Sequence, residues 1–478
     1  MRKGYITVFL TLSLTLILSL VFTVIEGARI SAIRMKFECV ADIGMNSVLA
    51  EYHRELLEQY ELLFVDMSYG GGHADIGNTA AHLRNYMQKN LEPESGFGSG
   101  MGVRDFLAMS ADGVRIGRYS IASDQEGAVL KRQVTDYMAD YPIGAILEKI
   151  GLGAEQLDQY GLETRDVESE RARYEAKIDE IGLPVEEVEE GVFEEVPLNN
   201  PADAANATRS SGVLNLVLEN PSAVSAVKVN VNDYISHRPR MQGTGVNADA
   251  AAISGDANEL VFQAYLFEKC GYYMDEMEKS LLKYQIEYIL AGKDVDWKNL
   301  EYVAKRLLRW REAANVIYIL TDSAKIAEAR AAAGALAAVL MCPALLEPVT
   351  YTILFAWAYV ESLQDVKTLL SGGRVPIMKT AADWKTGINS LTNVRGSLSA
   401  DGEGRGLNYK EYLQIMLFIQ NKEKRTFRAM DIMEMDIRRT PGNARFRMDA
   451  CFDTYEAELS VSSRFGYAYE MTRSYGFY

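Results

Sequence analysis

The chain has 478 residues, 48% hydrophobic and 24% charged, enough for two or three domains with a sizeable buried core. Its formal net charge is −16, and the acidity is concentrated: residues 155–195 hold 15 Asp/Glu against 4 Arg/Lys. That balance excludes a general nucleic-acid surface, which needs clustered Lys and Arg to displace counterions.

A short leader, residues 1–4 (Met1-Arg2-Lys3-Gly4), precedes an uncharged run from Tyr5 to Ile25. At ~1.5 Å per residue this run forms a helix of roughly 32 Å, enough to cross a ~30 Å hydrocarbon core. A cleaved signal peptide shares the basic start. The run is long for one, however, and Glu26-Gly27-Ala28-Arg29 offers no small-x-small cleavage site. The reading is a retained transmembrane helix, 5–25, with membrane lipid as its first partner. Arg2 and Lys3 are opposed by Arg29, Arg34 and Lys36, so loop charge does not set the orientation. The short N-terminus and the large remainder place the N-terminus in the cytoplasm and the body outside. Thr7, Thr11 and Thr15 recur every four residues and Ser19 continues the series, so they share one helix face. In lipid, small residues and hydroxyl hydrogen bonds are what hold helices together.

Beyond Glu26 the apolar residues Ile30, Ile33, Phe37, Val40, Val48, Tyr52, Leu56, Tyr60 and Leu63 fall mostly at gaps of three and four. The spacing predicts an amphipathic helix over 26–66 that continues the anchor, before the break at Gly70-Gly71-Gly72. Residues 73–150 read as an α+β region, with a strand over Gly113–Tyr119 and a helix over Gln125–Tyr141. Residues 155–198 read as an acidic, partly flexible segment, with Pro184–Pro201 as its loose end. Residues 199–478 read as an α+β body. In it, Val227, Val229 and Val231 alternate as a strand, Glu259–Leu320 is helical with a stop at Gly292, and 324–370 forms a helical hairpin. The uncharged part of that hairpin, Ala331–Leu346, is short for a membrane span. Glu361 and Asp365, one turn apart, are expected to meet Arg or Lys inside the body. At the end, 445–463 alternates as a β-hairpin turning at Asp453-Thr454. The fold class is α+β, mainly helical, with a long N-terminal transmembrane-plus-amphipathic helix carrying a large extracytoplasmic body.

The N-terminal pattern resembles pilins and pseudopilins. Gly4 before a long apolar helix stands where a prepilin peptidase cuts, between Gly4 and Tyr5. It departs from them at Phe9, where those families carry Glu. A wider set of blocks runs along the chain. It includes Gly4-Tyr5-Ile6-Thr7-Val8-Phe9-Leu10 with Glu26-Gly27-Ala28-Arg29, and Asp124-Gln125-Glu126-Gly127 with Arg132-Gln133. It continues with Tyr284…Glu287-Tyr288-Ile289-Leu290…Gly292-Lys293, Arg311-Glu312…Asn315, Ala356-Trp357-Ala358-Tyr359…Glu361-Ser362 and Arg428-Ala429-Met430-Asp431. The set resembles an uncharacterised family of membrane-anchored proteins from Gram-positive anaerobes, encoded beside Tad (tight adherence) pilus genes, with a TadE/TadG-like pseudopilin N-terminus. That resemblance implies a non-enzymatic structural or assembly component of a Tad/Flp-type pilus or secretion apparatus. Its implied partners are other apparatus subunits, reached through the N-terminal helix, and it supplies no catalytic residues.

Motifs for chemistry are few. The sequence has no GxSxG, Walker A, HExxH or dinucleotide fingerprint, and no cofactor is expected. His73, Asp75 and His82 form a weak metal-ligand set, for which surface polar roles are the simpler account. Cys39, Cys270, Cys342 and Cys451 have no metal spacing, and a disulfide among the last three stays open. The alternative function is a membrane-tethered extracytoplasmic enzyme or ligand-binding body with an unrecognised site.

Overall fold

The uncharged run and the one-sided pattern after it make a single element. In a computed structural model, which describes residues 2–92, 107–142, 144–189, 192–245, 256–399 and 404–477, Arg2–Leu49 is one helix, α1. The continuous helix expected over 26–66 therefore stops at Leu49. A second helix, α2 (Arg54–Tyr60), follows with its own cap. His53 Nδ1 accepts from the Leu56 N–H at 3.2 Å, and the His53 N–H donates to the Phe64 carbonyl at 2.8 Å. The apolar spacing survives this break, so periodicity alone cannot detect it.

The chain forms two units. The first comprises Met1–Ala139, His237–Glu259 and Met433–Tyr478. Its antiparallel sheet is centred on β3 (Cys451–Ser463), flanked on one side by β2 (Met109–Ile121) and on the other by β1 (Val65–Asp66) and β4 (Ala468–Gly476). Registers include Val65↔Phe452, Ile116↔Ala457 and Tyr455↔Tyr475. The expected strand over Gly113–Tyr119 lies inside β2. The expected hairpin over 445–463 is instead one long strand preceded by a 3-10 turn, Met448–Ala450. The reversal comes later, between Ser463 and Ala468, where Gly466 takes φ +85. Asp453 and Thr454 cannot form an exposed turn, because both are buried within β3.

One face of the sheet is covered by the second half of α1 and by α3 (Ile76–Leu91). Ile33, Phe37, Ala41, Met45 and Val48 on α1 and Leu83, Met87 and Leu91 on α3 share a core with Phe452, Tyr455, Ala457, Leu459 and Val461. Asp75 caps α3, its Oδ1 accepting from the Gly77 N–H at 2.6 Å. Gly44 lets the two helices close up: a Cβ there would stand 3.0 Å from Leu83 Cδ1. After β2 the chain makes a left-handed turn at Gln125 (φ 51), Glu126 (φ 59) and Gly127 (φ 80) before α4 (Asp124–Tyr137) becomes regular. Asp124 secures this turn, accepting from the N–H groups of Ile121 and Gly243 at 2.9 Å each.

The second unit comprises Asp140–Ser236 and Leu260–Ile432 and is mainly helical. The acidic segment is more ordered than its charge suggests. It takes in the end of α5 (Gly144–Gln159), all of α6 (Val167–Ile181) and an antiparallel pair, Val185–Glu189 with Val192–Glu195. Residues 227–231 form no strand. Lys228 makes an isolated bridge to Val295, and Val231–Asp233 is a 3-10 turn. Gly292 does end a helix, α7 (Gln285–Ala291), at φ 66. The long α8 (Asp296–Ile319) then leads to the hairpin of α9 (Ser323–Val339) and α10 (Leu346–Leu370). Ala329, Ala333 and Ala337 form the buried stripe of α9. Among the described residues, the one helix long and apolar enough to cross a membrane is that of Gly4–Leu49.

The packing of α1 dictates where the chain can be shortened. A chain beginning at Glu26 keeps the α1 stripe and is expected to stay folded and soluble. One beginning at Gly72 uncovers the sheet and is expected to aggregate, by size-exclusion chromatography and circular dichroism. Phe37→Ala should cost the first unit about 3–5 kcal/mol, read from its denaturant midpoint.

Candidate functional site

From Gly4 to Ile25, α1 is exposed on every side; Tyr5 is 81% and Phe9 72% exposed. Gly4 lies open, with nothing within 4 Å of where a Cβ would stand. The hydroxyl-bearing residues Thr7, Thr11, Thr15 and Ser19 all fall in this segment. The donors of the middle two are turned inward: Thr11 Oγ1 donates to the carbonyls of Thr7 and Val8 at 3.0 Å, and Thr15 Oγ1 to that of Thr11 at 2.5 Å. Hydroxyls bonded to their own helix offer small size and an acceptor to a neighbouring helix, with the donor already used.

At Glu26 the environment changes within one turn. Glu26 Oε2 pairs with Arg29 at 2.7 Å, and Glu26 Oε1 accepts from the Tyr467 hydroxyl at 2.5 Å. The Arg29 guanidinium stacks on the Phe465 ring at 3.9 Å. Further along, the Tyr475 hydroxyl donates to Asp42 Oδ1 at 2.9 Å and the Tyr455 hydroxyl to the Met45 carbonyl at 3.0 Å. Helix and sheet are thus fixed at both ends of their contact.

Inside the second unit lies a buried charge cluster. Arg311 Nε bonds Asp365 Oδ2 at 2.9 Å, and Lys379 Nζ reaches Asp365 Oδ1 at 2.5 Å and also binds Glu361. Asn315, the backbone N–H groups of Lys385 and Thr386 and the Thr386 hydroxyl also donate to these carboxylates. Burial pushes Asp365 up, but Lys379 and Arg311 together hold it below its ordinary value. Glu361 and Asp365 therefore meet the cations that their spacing implied. Separately, Glu287 is fully buried, its Oε1 accepting from the Tyr409 hydroxyl at 2.7 Å and the Tyr273 N–H at 3.0 Å, while Oε2 has no hydrogen-bond partner among the described residues. Burial raises its carboxyl to about 7, against those hydrogen bonds. No spacing rule would have singled out Lys379 or Glu287.

The same unit carries an open cleft of about 780 Å³ lined by both signs of charge, including Arg209, Lys305, Arg309, Glu301 and Glu312. Arg209 pairs with Glu312 at 2.6 Å and stacks on Tyr359 at 3.9 Å. Lys305 pairs with Glu301 at 3.2 Å, and Arg309 is exposed.

The weak metal set is spent on structure. Asp75 caps α3, and His82 stacks on Tyr69 at 3.9 Å and pairs with Glu51 at 3.0 Å. Among the described residues no group of three or more His, Cys, Asp or Glu could hold a metal. None of the four cysteines, all among the described residues, is joined in a disulfide.

A model of a family of unknown function (DUF5702) matches residues 191–463. No curated protein and no solved structure matches the chain.

Two expectations follow from the buried charges. Lys379→Ala leaves Glu361 and Asp365 short of a counter-ion and should cost about 3–5 kcal/mol in urea unfolding. Glu287 binds its proton more tightly folded than unfolded, so its contribution favours the fold fully below the ordinary carboxyl range. That contribution is lost as pH rises through about 7. Glu287→Gln should therefore flatten the fall in melting temperature between acid and neutral pH; an unchanged slope would refute the assignment.

Proposed function

We propose that this chain, which belongs to the family of unknown function DUF5702, is a non-enzymatic, membrane-anchored structural or assembly component of a surface apparatus of the Tad/Flp pilus type. One observation carries the reading. A single helix is apolar and exposed on every side along its first half, and packs by one stripe onto an antiparallel sheet along its second. The first half anchors in lipid and meets the corresponding helices of other subunits; the second transmits that position to the body. The N-terminus lies in the cytoplasm and the body outside. The pseudopilin-like start at Gly4-Tyr5 supports the same reading.

The cleft beside Arg209 favours a second reading, a tethered ligand-binding or enzymatic body. A thermal-shift screen with small molecules separates the two. Stabilisation by a compound that Arg309→Ala abolishes would favour the second, since a ligand at a hundred times its Kd adds roughly 2.7 kcal/mol.

Two experiments test the first reading. Protease added to intact protoplasts should digest the body, and full protection would reverse the topology. Replacing Thr7, Thr11, Thr15 and Ser19 together with Leu should keep insertion but weaken association on blue-native gels and in cysteine cross-linking. Each interhelical hydrogen bond in lipid is worth only about 0.6–2 kcal/mol, so all four positions are changed at once. Unchanged complexes would leave the anchor as a simple tether.

A further inference from the structure

The reversal between β3 and β4 lies beside the point where α1 leaves the sheet. Tyr467 donates to Glu26, the first charged residue after the apolar run, and Phe465 lies under Arg29 one turn on. At the far end of the same contact Tyr475 holds Asp42. Glu26 to Asp42 spans roughly 24 Å of helix at ~1.5 Å per residue. Tyr467 to Tyr475 spans roughly 27 Å of strand at ~3.4 Å per residue. The two lengths agree, so β4 runs alongside α1 in the same direction, and the turn Arg464–Tyr467 stands at the end nearest the apolar run.

The composition of that turn suits a water–lipid boundary. Phe465 is 42% exposed, and Arg464 is exposed and forms no ion pair among the described residues. Gly466 takes φ +85, which lets the loop reverse tightly and turn Phe465 outward. Aromatic rings settle at the headgroup level, where an apolar body and a polar rim are both satisfied, and Arg there meets phosphate. From Ile25 to Glu26, α1 crosses from apolar to charged, which marks the same level.

We propose that the turn Arg464–Tyr467 is a second membrane contact, a foot seated in the phospholipid headgroup layer beside the entry point of α1. The inference rests on the anchor reading above. With the foot in place, the body meets the membrane at two points, and its tilt about the anchor is restricted. The Glu26–Tyr467 hydrogen bond and the Arg29–Phe465 stack then sit at the boundary, where lower polarity than bulk water strengthens both.

The test uses the full chain in bilayer nanodiscs of mixed zwitterionic and anionic phospholipid. Phe465→Trp places a reporter in the turn, and Ile17→Trp places one in the middle of the apolar run. The four native tryptophans are subtracted with the unmodified chain. Trp keeps a ring for Arg29, so the turn should hold its shape. Expected are a blue shift of the turn reporter and loss of its signal in lipid labelled with a quencher at the headgroup. The Ile17→Trp reporter should respond to lipid brominated deep in the acyl chain. Arg464→Glu, added to Phe465→Trp, should reduce the headgroup quenching in anionic lipid. If the Ile17→Trp signal is quenched while the turn reporter emits as in water, the foot is overturned and the anchor stands. If neither is quenched, the anchor reading fails and takes the foot with it.

Discussion

One helix has to satisfy two environments, and the first unit is built around that constraint. From Gly4 to Ile25, α1 carries no charge and exposes its apolar side chains all round. From Ile33 onward its apolar residues gather on one side, and β2, β3, β4 and α3 provide the surface that removes that side from water. Each large side chain so buried contributes about 1.5–3 kcal/mol, so Phe37, Met45 and Val48 weigh more than the polar links at the rim. The rim has a different task. Tyr467 on Glu26 and Tyr475 on Asp42 fix the helix in register along β4, which apolar packing alone would leave free to slide.

Much of this arrangement was legible in the residues. The uncharged run, the one-sided pattern after Glu26, the stop at Gly292 and the alanine-rich hairpin each rest on a local rule, and each appears in the structure. What was missed depends on distant partners. Periodicity carried the helix past Leu49 because α2 resumes the same spacing after a cap made by His53, a residue seldom used there. Alternation through 445–463 was real, yet Asp453-Thr454, polar enough to suggest a turn, lies inside β3. Asp453 is tolerated there because Arg132, on α4, binds it. Burial still pushes that carboxyl up to about 6, so one cation does not fully offset its desolvation.

The interior charges of the second unit show the same limit in a sharper form. Glu361 and Asp365 lie one turn apart on α10, but Lys379 comes from an irregular segment and Arg311 from α8. Nothing local announces either partner. A buried pair of this kind is weak evidence for stability and better evidence for specificity, because each alternative packing would strand a charge. Glu287 solves the problem differently. With two donors on one oxygen and, among the described residues, none on the other, it sits near its own titration point instead of being held ionised.

The matched family region, residues 191–463, ends with β3 and leaves out the elements that pair with it or pack on it, α1, α3, β1, β2 and β4. Phe452, Tyr455, Ala457, Leu459 and Val461 on that strand turn a continuous apolar face toward α1 and α3. Without those helices the face would be open to water, and without β4 and β2 both edges of β3 would present unpaired N–H and C=O groups. Such a surface pairs with other chains or aggregates. The strand that closes the family region can therefore persist only in a chain that also supplies a helix of the α1 kind. That packing requirement ties the second half of α1 to the family region through the interior of one fold, with the Tyr455–Met45 hydrogen bond at the junction.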